Sequence, residues 1–395
     1  MDDTTTRIRL LTNLSEVTEA SWDTVANPPG LPYDPFLSWA FLEAMESSGA
    51  ATPETGWTPC HLVAEGPSGT IRAAMPLYAK THSQGEFVFD HAWADAYYRA
   101  GGEYYPKLLN AVPFTPVTGR RLLVPPGPDA LKLEQSLLMG AIQVAEQNDF
   151  SSLHLNFVTS DAAAAMDREG MMIRTDQQFH WHNKGYQSFD DFLADLSSAK
   201  RKNLRKERAK AQNGLEFLHL TGDQLTEAHW DAFYDFYTDT GTRKWGRPYL
   251  NRDSFSLLGE RLANDILLVM AMDGDDPIAG ALNFIGSEAL FGRYWGCVDP
   301  RPMLHFETCY YQAIDFAIER GLKTVEAGAQ GGHKLARGYV PETTYSAHWI
   351  AHPGLRQAID DYLERERHAV ERESDYLRER TPFKKQKLTD LDNKS

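Results

Sequence analysis

A loop in the last quarter of the chain, Gln330-Gly331-Gly332-His333-Lys334-Leu335-Ala336-Arg337-Gly338-Tyr339, sets a histidine, two cations and a phenol among glycines. Glycines let backbone N–H groups come close to a ligand, and the side chains offer a base near neutral pH, positive charge and a proton donor. Such equipment suits removal of a proton from a nucleophile and stabilisation of negative charge as it develops. The plainer reading is a surface turn whose glycines serve backbone geometry alone. A second set is the run Lys200–Lys210, with seven Lys or Arg and one Glu, a local +6 in a chain of net charge -15. A dense cationic helix suits a phosphate-bearing ligand, and Arg201 and Arg205, four residues apart, share one helical face. A third is the stretch 90–119, where Trp93, Tyr97, Tyr104 and Tyr105 alternate with Asp90 and Lys107, a mixture that lines pockets for polar organic molecules. Trp245, in Arg243-Lys244-Trp245-Gly246-Arg247, reads as a lid over such a pocket.

The rest of the composition narrows the field. With 395 residues, 42% of them hydrophobic, the chain is long enough for two or three domains and an ample core. Its acidic balance argues against a surface coated for DNA or membranes, so any basic site is local. Cys60, Cys297 and Cys309 are odd in number and lack metal-ligand spacing, which supports neither a disulfide framework nor a zinc site. The amino terminus has no signal-peptide pattern and no apolar run reaches ~20 residues, so a cytoplasmic protein without a membrane span is expected. Neither a GxSxG elbow, a Walker loop nor an HExxH helix occurs, and the histidines are not spaced as a metal cluster, so no metal is expected.

The positioning elements repeat. Thr18-Glu19-Ala20-Ser21-Trp22-Asp23 returns as Thr226-Glu227-Ala228-His229-Trp230-Asp231, and each copy follows a β-patterned run, Arg7–Leu11 or Leu215–Leu220. Each opens a helical stretch followed by another, Phe36–Glu46 or Arg252–Leu262. Alternating runs then predict two meanders: His61–Glu65, Ile71–Tyr78 and Glu86–Asp90 in the first half, Asp265–Met272, Pro277–Ile285 and Glu288–Val298 in the second. Helices over Leu131–Glu146 and His305–Arg320 lead to strands Leu153–Phe157 and Thr324–Ala327. Leu355, Ile359, Leu363, Val370 and Leu377 predict an amphipathic tail helix to about Arg380. These signals divide the chain into an α/β unit over 1–185, a second over 186–352 that includes a basic helix over 198–212, and a tail over 353–395.

Strand, two helices, a three-stranded meander, a helix and a strand is the element order of the GNAT acyltransferase fold. The tandem order, the segment Phe192-Leu193-Ala194-Asp195-Leu196-Ser197 leading into the basic run, and the loop 326–339 together resemble the bacterial FemAB-like predicted N-acyltransferases. So do Phe89-Asp90-His91-Ala92-Trp93-Ala94-Asp95, Tyr104-Tyr105-Pro106-Lys107, Pro113-Phe114-Thr115-Pro116-Val117-Thr118-Gly119 and Arg243-Lys244-Trp245-Gly246. The resemblance spans nearly the whole chain. It implies two tandem GNAT-like units and transfer of an acyl or aminoacyl group to a small-molecule or peptide amine. It also implies no tightly bound cofactor, with acyl-CoA or, as in the wider Fem group, aminoacyl-tRNA as co-substrate.

Amine acylation needs a base, a cradle for the oxyanion and a proton for the leaving group. His333 is the first candidate base, Glu307 at the start of a helix the second and Glu326 the third. Tyr294 or Tyr339 could protonate the leaving group. Donor contacts are expected from Arg201, Arg205, Lys334, Arg337, Gly331 and Gly332, and acceptor contacts from Asp90, Trp93, Tyr97, Tyr104, Tyr105, Lys107 and Trp245. Where acetyl-CoA enzymes carry spaced glycines, this chain has Val298-Asp299-Pro300-Arg301-Pro302-Met303-Leu304, and proline removes backbone donors. That departure weakens CoA as the donor. It also leaves a rival function, a module that recognises a cell-wall precursor or peptide without transferring to it.

Overall fold

The computed structural model describes residues 6–244, 248–328 and 331–384. Its strands are β1 (Arg7–Leu11), β2 (Trp57–Pro59), β3 (His61–Glu65), β4 (Ile71–Met75), β5 (Tyr78–Lys80), β6 (Lys107–Asn110), β7 (Ser152–Val158) and β8 (Met172–His182) in the first half. The second half supplies β9 (Glu216–Leu220), β10 (Ile266–Asp273), β11 (Asp276–Ile285), β12 (Ala289–Cys297), β13 (Thr324–Glu326) and β14 (Val340–Ile350). The helices are α1 (Glu19–Ala26), α2 (Trp39–Ser47), α3 (His91–Arg99), α4 (Ala130–Gln147), α5 (Ser160–Arg168), α6 (Phe189–Asp195), α7 (Ser198–Ala211), α8 (Glu227–Lys244), α9 (Arg252–Leu262), α10 (Leu304–Phe306), α11 (Gln312–Glu319) and α12 (Pro353–Arg378). A π turn, Glu307–Tyr311, joins α10 to α11. Among the described residues no helix is long and apolar enough to cross a membrane.

The repeated hexapeptide opens equivalent helices. The Thr18 side chain accepts from the Ser21 amide to cap α1. Trp22 and Trp230 are both buried, the first donating from Nε1 to Leu37 O at 2.9 Å, the second stacking on Phe255. Across the halves, Phe36 and Phe41 meet Phe284 with ring centroids 4.9 and 5.6 Å apart, so one core runs through both units.

The second meander forms as its alternation predicts. The first departs at its third strand. Glu86–Asp90 is irregular, and β6 takes the expected place. The cause is chemical: the carboxylates of Glu86 and Asp90 turn inward to hold the buried ammonium of Lys107, which strand geometry at that segment would not allow. β3 and β4 pair with β1 in a small sheet, while β2 and β5 belong to the large one. Pro59 and Pro76, which cannot donate to a ladder, stand at the crossings.

The large sheet runs β2-β5-β6-β7-β14-β8-β13-β12-β11-β10-β9. β7 runs parallel to β6, and β13 parallel to β12, as the two-unit order requires. Between β7 and β13 lie β14 and β8, exchanged: the last strand of each half sits beside the next-to-last strand of the other. Val340–His348 and Met172–His180 pair antiparallel without a break, which makes the chain two GNAT-like units closed by shared strands. The tail helix α12 lies across both, with Arg174 held by Glu366 at 2.7 and 2.8 Å.

His154 on β7 faces His348 on β14 in this seam, their Nδ1 atoms 2.7 Å apart, so only one carries the shared proton. Burial pushes His154 down to about 3 and His348 well below its usual range. The unfolded chain therefore binds more protons than the fold below about pH 6.5, and stability is lost as pH falls from there toward 3. Urea unfolding between pH 6.5 and 4 is expected to show a decline of up to about 1.4 kcal/mol per pH unit for each histidine. His348→Gln should remove its share, and an unchanged slope in that variant would refute the assignment.

Candidate functional site

β12 and β13 pair only through Ala289, Leu290 and Phe291 opposite Thr324, Val325 and Glu326, then part. At the parting point β11 shifts register between Leu282 and Asn283, and Gly292 lies against Asn283 and the Glu326 carbonyl. A Cβ there would come within 3.2 Å of Asn283 Oδ1 and 3.3 Å of Glu326 O, a crowding that glycine avoids. Arg293 spans the gap, donating from Nη2 to Glu326 Oε2 at 3.0 Å. In the first unit the matching gap beyond Asn110 and Leu155 is filled by the chain itself. There the Gly119 amide donates to Phe157 O at 3.0 Å and Arg121 Nε to Asn156 O at 2.7 Å. Among the described residues no backbone segment bridges β12 and β13 in this way.

The glycine loop closes over that opening. Gly331, at φ 125°, precedes a 3-10 turn over Gly332–Arg337. Lys334 is buried, and its Nζ donates to Gly328 O at 3.0 Å, just past the strand divergence. Burial pushes the Lys334 amine down to about 7, and Arg293 adds to the effect. Arg337 is buried with its guanidinium 3.4 Å from the Phe306 ring centroid; it donates to His333 O and to Glu207 Oε2, both at 2.8 Å. His333 Nε2 shares a 2.9 Å hydrogen bond with the Tyr310 hydroxyl, and its ring lies against Phe306 and His305. Among the described residues the Nε atoms of Arg293 and Arg337 are buried donors with no hydrogen-bond partner. The loop and β12 thus bring together a histidine, a neutralisable lysine and two arginines.

Other expected site residues lie elsewhere. Glu307 is fully buried and its carboxylate is engaged by Arg208 at 2.9 and 3.2 Å, Gln212 at 2.9 Å and Gln312 at 2.7 Å, which removes it as a base. Glu326 is held by Arg293. Tyr294 donates to Phe114 O at 3.1 Å, and Tyr339 is fully buried against Tyr310; burial raises both phenols and keeps them protonated. Arg201 and Arg205 do not reach the loop. They line an open groove of about 360 Å³ along α7 with Lys202 and Lys206, and Arg205 is paired at the surface with Asp190 at 2.8 Å. The cation of that helix that turns inward is Arg208, which also bonds Asp315 at 2.6 Å and packs over Phe189. The spacing 201, 205, 208 continues one face in the sequence, but nothing there showed which member an acid would claim.

The expected acceptor residues come together as a sealed cluster, not as a pocket wall. Lys107 donates to Ser83 Oγ and Glu86 Oε2 at 2.8 Å and to Asp90; Tyr104 donates to Asp90 Oδ2 at 2.7 Å. Trp93 packs on His348 and Tyr97 on His352, while Tyr105 bonds Ser83. Trp245 lies outside the described residues. The open space is instead a cleft of about 380 Å³ over the exchanged strands, walled by Phe87, Phe157, Phe179, Thr344, Gly331 and Gly332. Phe87 and Phe157 hold φ 59° and 55°, left-handed conformations that cost a bulky residue roughly 1–2 kcal/mol each. Phosphate capture at the start of α10 is blocked: the amides of Leu304, Phe306 and Glu307 already donate to Arg301 O and Met303 O, and Arg301 is tied to Asp299 and Asp273.

A sequence profile described as FemAB-like, peptidoglycan biosynthesis/recognition, matches residues 13–385. No curated protein sequence matches the chain. Among solved structures it is similar to the crystal structure of FemX, with 13% identity, a TM-score of 0.54 and coverage of 87% of this chain and 98% of that one. It is also similar to the C-terminal domain of a putative lysylphosphatidylglycerol synthetase from Agrobacterium fabrum, with 8% identity, a TM-score of 0.53 and coverage of 88% and 97%. At these identities the likeness establishes a common fold.

Proposed function

From the premise that this chain belongs to the FemAB-like family of peptidoglycan biosynthesis and recognition, we propose that it is an N-acyltransferase acting in the cytoplasm, with aminoacyl-tRNA as donor. The observation that carries the reading is the open divergence of β12 and β13, covered by a loop that buries Lys334 at its floor. The donor's carbonyl lies along the free edge of β12. The amine attacks as its neutral form, a C–N bond forms, the C–O bond to the donor breaks, the amine proton passes to Lys334, and the Lys334 ammonium gives that proton to the leaving oxygen. The unpartnered Nε donors of Arg293 and Arg337 favour the negative charge of the tetrahedral intermediate. His333, fixed by Tyr310, is a positioning residue for the loop.

Two features support a tRNA donor over acyl-CoA: the missing pyrophosphate cradle and the exposed cationic groove of α7. A thermal-shift comparison tests this, since a ligand of the native state raises its melting temperature. Charged tRNA is expected to stabilise the protein and CoA, acetyl-CoA and longer acyl-CoAs to leave it unchanged; stabilisation by an acyl-CoA alone overturns the donor assignment. The Arg201→Glu/Arg205→Glu variant should bind tRNA at least tenfold more weakly, with a log–log salt slope shallower by about two. The same missing cradle favours a second reading, a recognition module, which would bind a ligand and never label an amine.

A further inference from the structure

Glu207 is the single acid of the run Lys200–Lys210, and it stands outside the lining of the α7 groove. Its Oε2 accepts from Arg337 Nη2 at 2.8 Å and from the Tyr311 hydroxyl at 2.6 Å, and its Oε1 accepts from Asn203 Nδ2 at 3.2 Å, one helical turn back. The carboxylate is thus tied from its own helix, from the π turn and from the glycine loop. Burial raises the Tyr311 phenol, so it stays a donor and fixes the orientation of the acid. The residue this arrangement holds is Arg337. A guanidinium is a rigid planar fork, so fixing its two terminal nitrogens fixes the direction of the third N–H. Glu207 takes Nη2, the His333 carbonyl takes Nη1, and the Phe306 ring lies against the face. Among the described residues the buried Nε is left without a partner. A buried donor kept unpaired is costly, and it calls for an acceptor that arrives with a ligand.

We propose that Glu207 is a positioning residue of the transfer reaction: it holds Arg337 by a terminal nitrogen so that the Nε–H is presented to the oxygen that gains negative charge when the amine adds. This rests on the acyltransferase reading and adds to it the residue that sets the oxyanion donor. As the C–N bond forms, the carbonyl π pair moves onto oxygen; it returns as the C–O bond to the donor breaks. No proton leaves Arg337, whose guanidinium stays charged throughout and only lends a hydrogen bond that strengthens with the charge. Glu207 touches no reacting atom and acts through Arg337. Its place on α7 links two parts of the machinery, since Arg201, Lys202, Arg205 and Lys206 line the groove on the same helix. The element that takes the donor's phosphates also carries the brace of the oxyanion donor.

Transfer of radiolabelled amino acids from bulk charged tRNA to a panel of alkyl and peptide primary amines, with the full chain, tests the assignment. Glu207→Ala is expected to lower kcat by about 30-fold with KM for charged tRNA within about twofold, because a preorganised donor acts in the transition state. Glu207→Gln keeps the shape, loses the charge, and should lose less; it carries the test if the alanine variant does not fold. The decisive readout is a double-variant cycle. In an Arg337→Met background Glu207→Ala should cost nothing further in kcat, whereas a residue that only supports the helix would add its own loss. In arginine-labelled NMR spectra the two Nη groups of Arg337 should give separate N–H signals that merge in Glu207→Ala. An unchanged kcat in both variants, additive losses in the cycle, or merged signals in the wild type overturns the assignment and leaves the acyltransferase reading standing. A wild type that labels no amine sinks that reading, and this assignment with it.

Discussion

Lys107→Met is expected to destabilise the fold by about 3–5 kcal/mol, a large share of the stability of a protein this size. The ammonium of Lys107 is wholly buried and holds together Ser83, Glu86 and Asp90, with Tyr104 donating to Asp90 behind it. Burial alone would lower the lysine's pKa, but the two carboxylates more than offset it; burial likewise would raise Asp90, and Lys107 brings it well below its usual range. Methionine fills much of the same volume and removes the charge, which leaves the desolvated carboxylates of Glu86 and Asp90 close together with Lys80, 3.9 Å from Glu86, beside them. They must then take up protons to stay inside, so the variant should recover stability as pH falls, opposite to the trend set by the seam histidines. Urea unfolding of Lys107→Met beside Lys107→Met/Glu86→Gln/Asp90→Asn measures this. The triple variant should regain most of the loss, and a single variant within about 1 kcal/mol of wild type would show that the cluster does not depend on its cation.

The second large effect is on turnover. Lys334→Met is expected to lower kcat by about 10²-fold or more with KM changed little, the usual worth of a positioned base. With its pKa near 7, the Lys334 amine gains its lone pair as pH rises through neutrality, so the wild-type rate should climb to a plateau above that pH. Lys334→Arg is the informative partner: it retains a donor for the Gly328 carbonyl but stays protonated at every working pH. If the lysine is the base, both variants are slow and the rise near pH 7 disappears. A fast Lys334→Arg enzyme would reduce the residue to a prop for the glycine loop.

The second unit was legible because its strands carry their own pattern: β10 to β12 alternate or run apolar between DGDD and GS turns, and of the face Phe306, Tyr310, Ala313, Ile314, Ala317 and Ile318 the middle four are buried and the end members partly so. Glu-Phe-Val-Phe-Asp at 86–90 carries the same alternation and is no strand, because its two acids answer a lysine some twenty residues away. β8 was unread for the converse reason. Arg174, Asp176, Gln178, His180 and His182 fall on one of its faces, a polar series that looks like a loop until β14, far along the chain, pairs with it. The glycine loop could be picked out by residue type alone. The residue proposed to work there could not, since nothing in the sequence shows that Lys334 is buried beside the more suggestive His333, or that Arg208, Gln212 and Gln312 hold the Glu307 carboxylate. Aromatic density in the sequence points to 90–119, yet the open cleft takes Phe87, Phe157 and Phe179 from three separate segments.

The exchange of β8 and β14 has an architectural consequence. Severed after residue 185, each half would lack a strand that completes its sheet, so a protein with one such unit would need two copies trading their final strands, an interlocked dimer. Tethering makes that trade intramolecular, at an effective concentration no pair of free subunits reaches. It also lifts the obligation of two identical copies to remain alike. One gap between strands can be plugged by the chain at 116–121 while its twin stays open, a division of labour that a symmetric pair sharing one sequence could not encode.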